Sequence, residues 1–165
     1  MEERIVTLRR CVDVDHKEEL LIGEGEEGFL MTGASGLRTL PAGLHRWNAD
    51  CDALVFRCDA IYEGVAGAGE GKGARGWFSF RCTLLSPRRF AGRFSKALLE
   101  GAQAEALLTQ LARETFADTL RSTTSGIAGL WLTCRQNLEQ ALLDCGWRLA
   151  GFHPGCIKRG REARP

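Results

Sequence analysis

The sequence predicts an α+β fold, with short strands in an antiparallel or mixed sheet in the N-terminal half, about three helices in the C-terminal half, and a closing strand near the C-terminus. Three observations lead there. Between residues 54 and 84 apolar side chains alternate at period two: Leu54, Phe56, Cys58, Ala60 and Tyr62 oppose Arg57, Asp59 and Glu63, and Phe78, Phe80, Cys82 and Leu84 oppose Trp77, Ser79, Arg81 and Thr83. From Ser86 to Gly146 the apolar residues recur instead at helical spacing. Trp147 to Phe152 then returns to a strand.

The elements follow in order. Residues 5–14, "IVTLRRCVDV", are rich in β-branched side chains, and "ELLIGEGEEGFLMTG" holds two apolar runs split by Gly23 and Gly25; all three read as strands. Gly33 to Gly36 turns, "LRTL" is a brief strand, Pro41-Ala42-Gly43 turns again and "LHRW" follows. A glycine-rich loop from Gly64 to Gly76 separates the two alternating strands. Ser86-Pro87 starts a helix, with a capping hydroxyl and proline at the first helical position, and Phe90, Phe94, Ala97 and Leu98 share its apolar face. Gly101 breaks the chain. A second helix, about Ala102 to Leu120, buries Ala104, Leu107, Leu108, Leu111, Ala112 and Phe116. A third carries Ile127, Leu130, Trp131, Cys134, Leu138, Ala141, Leu142 and Cys145 on its core stripe, and Gly146 ends it in a left-handed cap. Pro154-Gly155 separates the last strand from "CIKR".

Composition sets the class. A chain of 165 residues is long enough for one domain with a core, spanning 1–165, and too short for two ordinary ones. A hydrophobic fraction of 44% and a charged fraction of 26% are those of a soluble globular protein. The acids of the first third (Glu18, Glu19, Glu24, Glu26, Glu27) and the bases of the end (Lys158, Arg159, Arg161, Arg164) read as solvated surface. No run approaches the roughly 20 apolar residues of a membrane span, and the first residues lack the basic-then-apolar build of a signal peptide. Seven cysteines without a C-x-x-C pair fit reduced thiols in a cytosolic protein.

Gly71, Gly73 and Gly76 spell G-x-G-x-x-G, the dinucleotide fingerprint, and Lys72 follows a glycine as a P-loop lysine does. The chemistry of that motif needs a helix after the last glycine, whose free N–H groups face the phosphates. Here a strand follows. Ala66 also stands where the first P-loop glycine belongs, and Gly73 where the magnesium-binding hydroxyl belongs. The glycines read as a loop between antiparallel strands, so no nucleotide or other cofactor is expected.

Other chemistries fare no better. Cys58, Cys82, Cys134 and Cys145 fall on apolar faces and read as inert core thiols, and His45, Cys51 and the more distant His16 lack metal-ligand spacing. Cys11, Cys51 and Cys156 are the thiols left for reactivity. Three histidines, no Gly-x-Ser-x-Gly elbow and no paired carboxylates give no catalytic constellation, and His153 reads as a strand-end residue. Arg88, Arg89, Arg93 and Lys96 give the first helix a basic side, but the net charge of +1 and the core placement of the aromatics argue against nucleic acid.

The order of these elements resembles the SPFH domain of stomatin, prohibitin and flotillin. "EGEEGFLMTG" is similar to that family's opening strand, and "LPAGLHRWNADCDALVFR" to its Gly-Pro-Gly-Leu-His turn and following strand, with Leu40 and Ala42 departing from the pattern. "RGWFSFRCTLLSPRRFAGRF" resembles the strand that ends in Asp-Pro and enters a short helix, Ser86 replacing the acid. "AQAEALLTQLARETFADTL" resembles the long helix, and "LEQALLDCGWRLAGFHPGCIK" the final helix, its glycine junction and the last strand. The similarity spans about residues 24–158. It implies a non-enzymatic scaffold module of the band-7 kind that assembles with copies of itself, located in the cytoplasm and reaching a membrane surface through a membrane-associated protein partner. The family's usual membrane anchor and extended coiled coil are not expected within these residues. The alternative reading is a small binding or sensing domain that uses its thiols for metal or redox response.

If copies assemble, the third helix offers a contact. Leu132 and Leu143, eleven positions and so about three turns apart, lie opposite its core stripe with Glu139 beside them. These three are the candidate protomer contact.

Overall fold

In the computed structural model the described residues are 4–9, 19–32, 36–46, 51–69, 75–123 and 126–158. Nine strands and three helices are assigned among them: β1 (Val6–Arg9), β2 (Glu19–Ile22), β3 (Glu26–Thr32), β4 (Gly36–Leu40), β5 (Gly43–Arg46), β6 (Ala53–Arg57), β7 (Ile61–Ala68), β8 (Arg75–Leu84), α1 (Pro87–Leu99), α2 (Ala104–Ser122), α3 (Ile127–Asp144) and β9 (Trp147–Lys158). The fold class is α+β. The chain divides into two units, one made of residues 1–60 and 84–104, the other of residues 61–83 and 105–165.

The first unit is built on a four-stranded sheet of order β1-β6-β3-β4, in which each pairing is antiparallel. Period two sends Phe29, Leu54 and Phe56 to one face and Leu30, Leu40, Ala53 and Val55 to the other. Four of the five residues of β6 are buried, so both faces are covered. On the first face α1 brings Phe90 edge-on to Phe56, which meets Phe29 in the same way. Arg88 donates to the Thr39 hydroxyl at that helix's start. On the second face the β2-β5 ribbon, also antiparallel, seats Leu20 and Ile22 over Leu30, Leu40, Ala53 and Val55. Gly28 has no side chain because a Cβ there would come within 2.6 Å of Ile22.

In the second unit the sheet has the order β7-β8-β9. β7 and β8 are antiparallel, and β9 runs antiparallel to β8, since Gly151 lies beside Arg81 while Gly155 lies beside Trp77. The helical side of this sheet is an aromatic core. Phe78 meets Phe116 edge-on at 5.3 Å, Phe152 at 5.0 Å and Trp131 at 6.4 Å, and Phe116 stacks on Trp131 at 5.4 Å. Fully burying a phenylalanine contributes about 1.5–3 kcal/mol, and Phe78, Phe80 and Phe116 are all buried. Between the helices the buried Thr119 hydroxyl donates to the Thr115 carbonyl and accepts from Asn137.

The helix signals read from the sequence are present. Ser86 caps α1 by accepting from the Arg89 N–H, Pro87 sits at the first helical position, and Gly146 adopts φ of +87° just beyond α3. Four expectations need correction. Cys58 does not continue an alternating strand; it is exposed in the turn between β6 and β7, where its N–H donates to the Gly25 carbonyl and the Ala60 N–H donates back to Arg57. The loop expected from Gly64 is shorter, because β7 stays paired with β8 as far as Ala68 opposite Gly76. Ile127 is half exposed, as it lies in the first turn of α3, ahead of the buried stripe that begins at Leu130. Finally β9 passes through Pro154 without a break. It is an edge strand, where a missing N–H leaves the ladder intact.

Candidate assembly surface

The alternation that builds the second unit's core also leaves it one bare face. Along β8, Phe78, Phe80 and Cys82 point to the helices, so Trp77, Ser79 and Arg81 point away from them. Along β7, Tyr62 and Ala66 turn inward, the Tyr62 hydroxyl sharing a hydrogen bond of 2.6 Å with Thr109 on α2. Ile61, Glu63 and Val65 therefore turn outward. Ile61 and Val65 are each 60% exposed and Trp77 is 49% exposed. The Trp77 indole lies across Gly155 of β9, where any Cβ would collide with it. Between these apolar groups Arg81 forms an ion pair with Glu63, its partner across the strands, with 59% and 61% of the two side chains open to solvent.

The three residues expected to form a contact on α3 are also placed. Leu132 is 58% exposed, Glu139 is exposed and Leu143 is half-buried. They lie on the side away from Leu130, Cys134, Leu138 and Leu142.

The thiols divide by environment. Cys82 and Cys134 are buried, and burial pushes each pKa from 9.0 up to about 12, with Cys145 adding to the effect at Cys82. Cys58 is also raised, by partial desolvation first and then by the carboxylates of Glu27, Asp59 and Glu26. A thiol held protonated is a poor nucleophile and a poor ligand. Cys51 is half-buried against the core of the first unit, Cys156 is exposed, and Cys11 lies outside the described residues, as do His16, Lys72, Gly71, Gly73 and the basic residues after Lys158. Among the described residues no three His, Cys, Asp or Glu side chains are grouped to hold a metal ion. No described helix is long and apolar enough to cross a membrane.

One depression of about 450 Å³ opens in the first unit, lined by Arg4, Glu24, Glu26, Arg57 and Asp59 among others. It mixes both signs of charge. Glu26 is engaged in holding the turn before β3, where it accepts from the Gly23 N–H at 2.8 Å.

The open sheet face escapes a division of each strand into a core side and a polar side. The signal was available: Ile61, Val65 and Trp77 are large apolar residues on the side opposite the core stripe. Compared with models of known protein families and with curated proteins, the chain matches none.

Proposed function

We propose that this chain is a non-enzymatic assembly module of the SPFH kind, which joins copies of itself and organises protein partners in the cytoplasm, with a membrane-associated protein as one such partner. The observation that carries the reading is the outer face of the β7-β8-β9 sheet, where Ile61, Val65 and Trp77 remain about half or more exposed. Ile61, Val65 and Trp77 share that face around the Glu63–Arg81 ion pair, and a face that keeps several large apolar groups in solvent is a candidate interaction surface. The order of elements on which the resemblance to SPFH domains rests, strands, a Ser-capped helix, two longer helices and a closing strand, is also that of the fold.

Light scattering across a concentration series tests the reading. The parent chain gives a mass above that of one chain, and Ile61→Lys with Val65→Lys lowers it while far-ultraviolet circular dichroism is unchanged. A single-chain mass at every concentration contradicts self-assembly.

A further inference from the structure

The outer face of β7 and β8 is complementary to itself. Its facing pairs across the two strands are Ile61 with Thr83, Glu63 with Arg81, Val65 with Ser79, and Gly67 with Trp77. Each joins a bulky residue to a smaller one, or an acid to a base. A two-fold axis running along the strands, midway between β7 and β8, lays β7 of one copy over β8 of another. That operation brings Ile61 over Thr83, Val65 over Ser79 and Glu63 over Arg81, and it does so twice, as an isologous contact requires; the Trp77 indole, laid over Gly155 of β9, flanks this contact. Sheets stack about 10 Å apart face to face, a gap that a large side chain opposite a small one fills and that two large ones overfill. The charges agree with the shapes, because the exposed ion pair becomes a square of alternating sign rather than two like charges meeting.

We propose that the occupant of this face is a second copy of the same chain, docked sheet to sheet about that axis, with Glu63 of each copy against Arg81 of the other. The proposal rests on the assembly reading above and adds its partner, symmetry and register. It yields a closed dimer at this face, since an isologous contact consumes both surfaces.

Charge reversal tests it. Arg81→Glu leaves a face with two acids and Glu63→Arg one with two bases, so each variant alone loses the pair within its own chain and repels its own copy. Each self-associates at least about tenfold more weakly than the parent. An equimolar mixture of the two restores association, because acid then meets base at both positions between chains and at neither within a chain. Ser79→Trp is an uncharged second variant on the same outer face, and it blocks the parent's dimer by filling the space for Val65. If the parent associates and both charge variants associate equally well, or if the mixture fails to recover, the docking is overturned while the assembly reading stands. Unimpaired association of Ser79→Trp likewise overturns the docking. A parent that stays a single chain overturns both.

Discussion

Gly76 is the last glycine of the G-x-G-x-x-G run, and the fold gives it a packing role that alanine substitution can measure. A Cβ at this position comes within 3.0 Å of the Phe116 ring, 3.1 Å of the Ile157 side chain and 3.3 Å of the Cys156 carbonyl. Contacts this short force the neighbours to move. Phe116 has little room to do so, being fully buried, stacked on Trp131 and edge-on to Phe78. Overpacking of this size costs about 1–3 kcal/mol, and removing a glycine from the unfolded chain returns about 0.4–1 kcal/mol. Taken at the middle of both ranges, Gly76→Ala destabilises by about 1.3 kcal/mol. Urea unfolding followed by tryptophan fluorescence reads the correct unit, because Trp77, Trp131 and Trp147, three of the four tryptophans, belong to it. Phe116→Leu removes the nearest of the three contacts and leaves those with Ile157 and Cys156, so the Gly76→Ala penalty shrinks in that background by about 0.5 kcal/mol without vanishing. Stability equal to or above the parent's in Gly76→Ala refutes the packing account. So does an equal penalty in both backgrounds.

Three further outcomes follow from the same structure. Gly155→Val destabilises by roughly 2–3 kcal/mol, more than Gly76→Ala, because its Cβ meets the Trp77 backbone as well as the indole, and thermal unfolding checks the order of the two. For Cys82 and Cys134 the folded pKa of about 12 lies above the unfolded 9.0, so the unfolded state loses protons first. Stability is then intact below about pH 9 and falls between about pH 9 and 12 by up to about 1.4 kcal/mol per pH unit for each thiol, a slope that urea midpoints show to be smaller in Cys134→Ala. Glu27→Gln speeds alkylation of Cys58 by iodoacetamide, since the lost carboxylate was one of the groups holding that thiol protonated; an unchanged rate contradicts the electrostatic part of the argument.

Local signals in this sequence were legible where one residue's chemistry decides the backbone. Ser86-Pro87 and Gly146 mark helix ends because a hydroxyl cap, a fixed φ and a left-handed φ are properties of single residues. Phe78, Phe80 and Cys82 were placed on the core side because β8 is long and paired throughout with β7. Period two failed at Cys58 for a reason visible in its neighbours. The strand stops at Arg57, a two-residue turn intervenes, and β7 resumes with Tyr62 inward, so the alternation keeps its phase across a break in the sheet. Pairing of β1 with β6 and of β3 with β6 joins residues far apart in sequence, and no local pattern encodes it. The exposed face at Ile61, Val65 and Trp77 was hidden for a related reason. A strand with apolar residues on both sides reads as more core until the position of the helices shows which side is covered.

The most direct test of the account is the solution mass of three samples measured side by side by light scattering: Arg81→Glu alone, Glu63→Arg alone, and their equimolar mixture. Sheet-to-sheet assembly predicts a mass for each variant alone that falls below that of the mixture at the same total concentration, and a dimer for the mixture, with circular dichroism alike in all three. Masses that are the same in the mixture as in the separate samples contradict it.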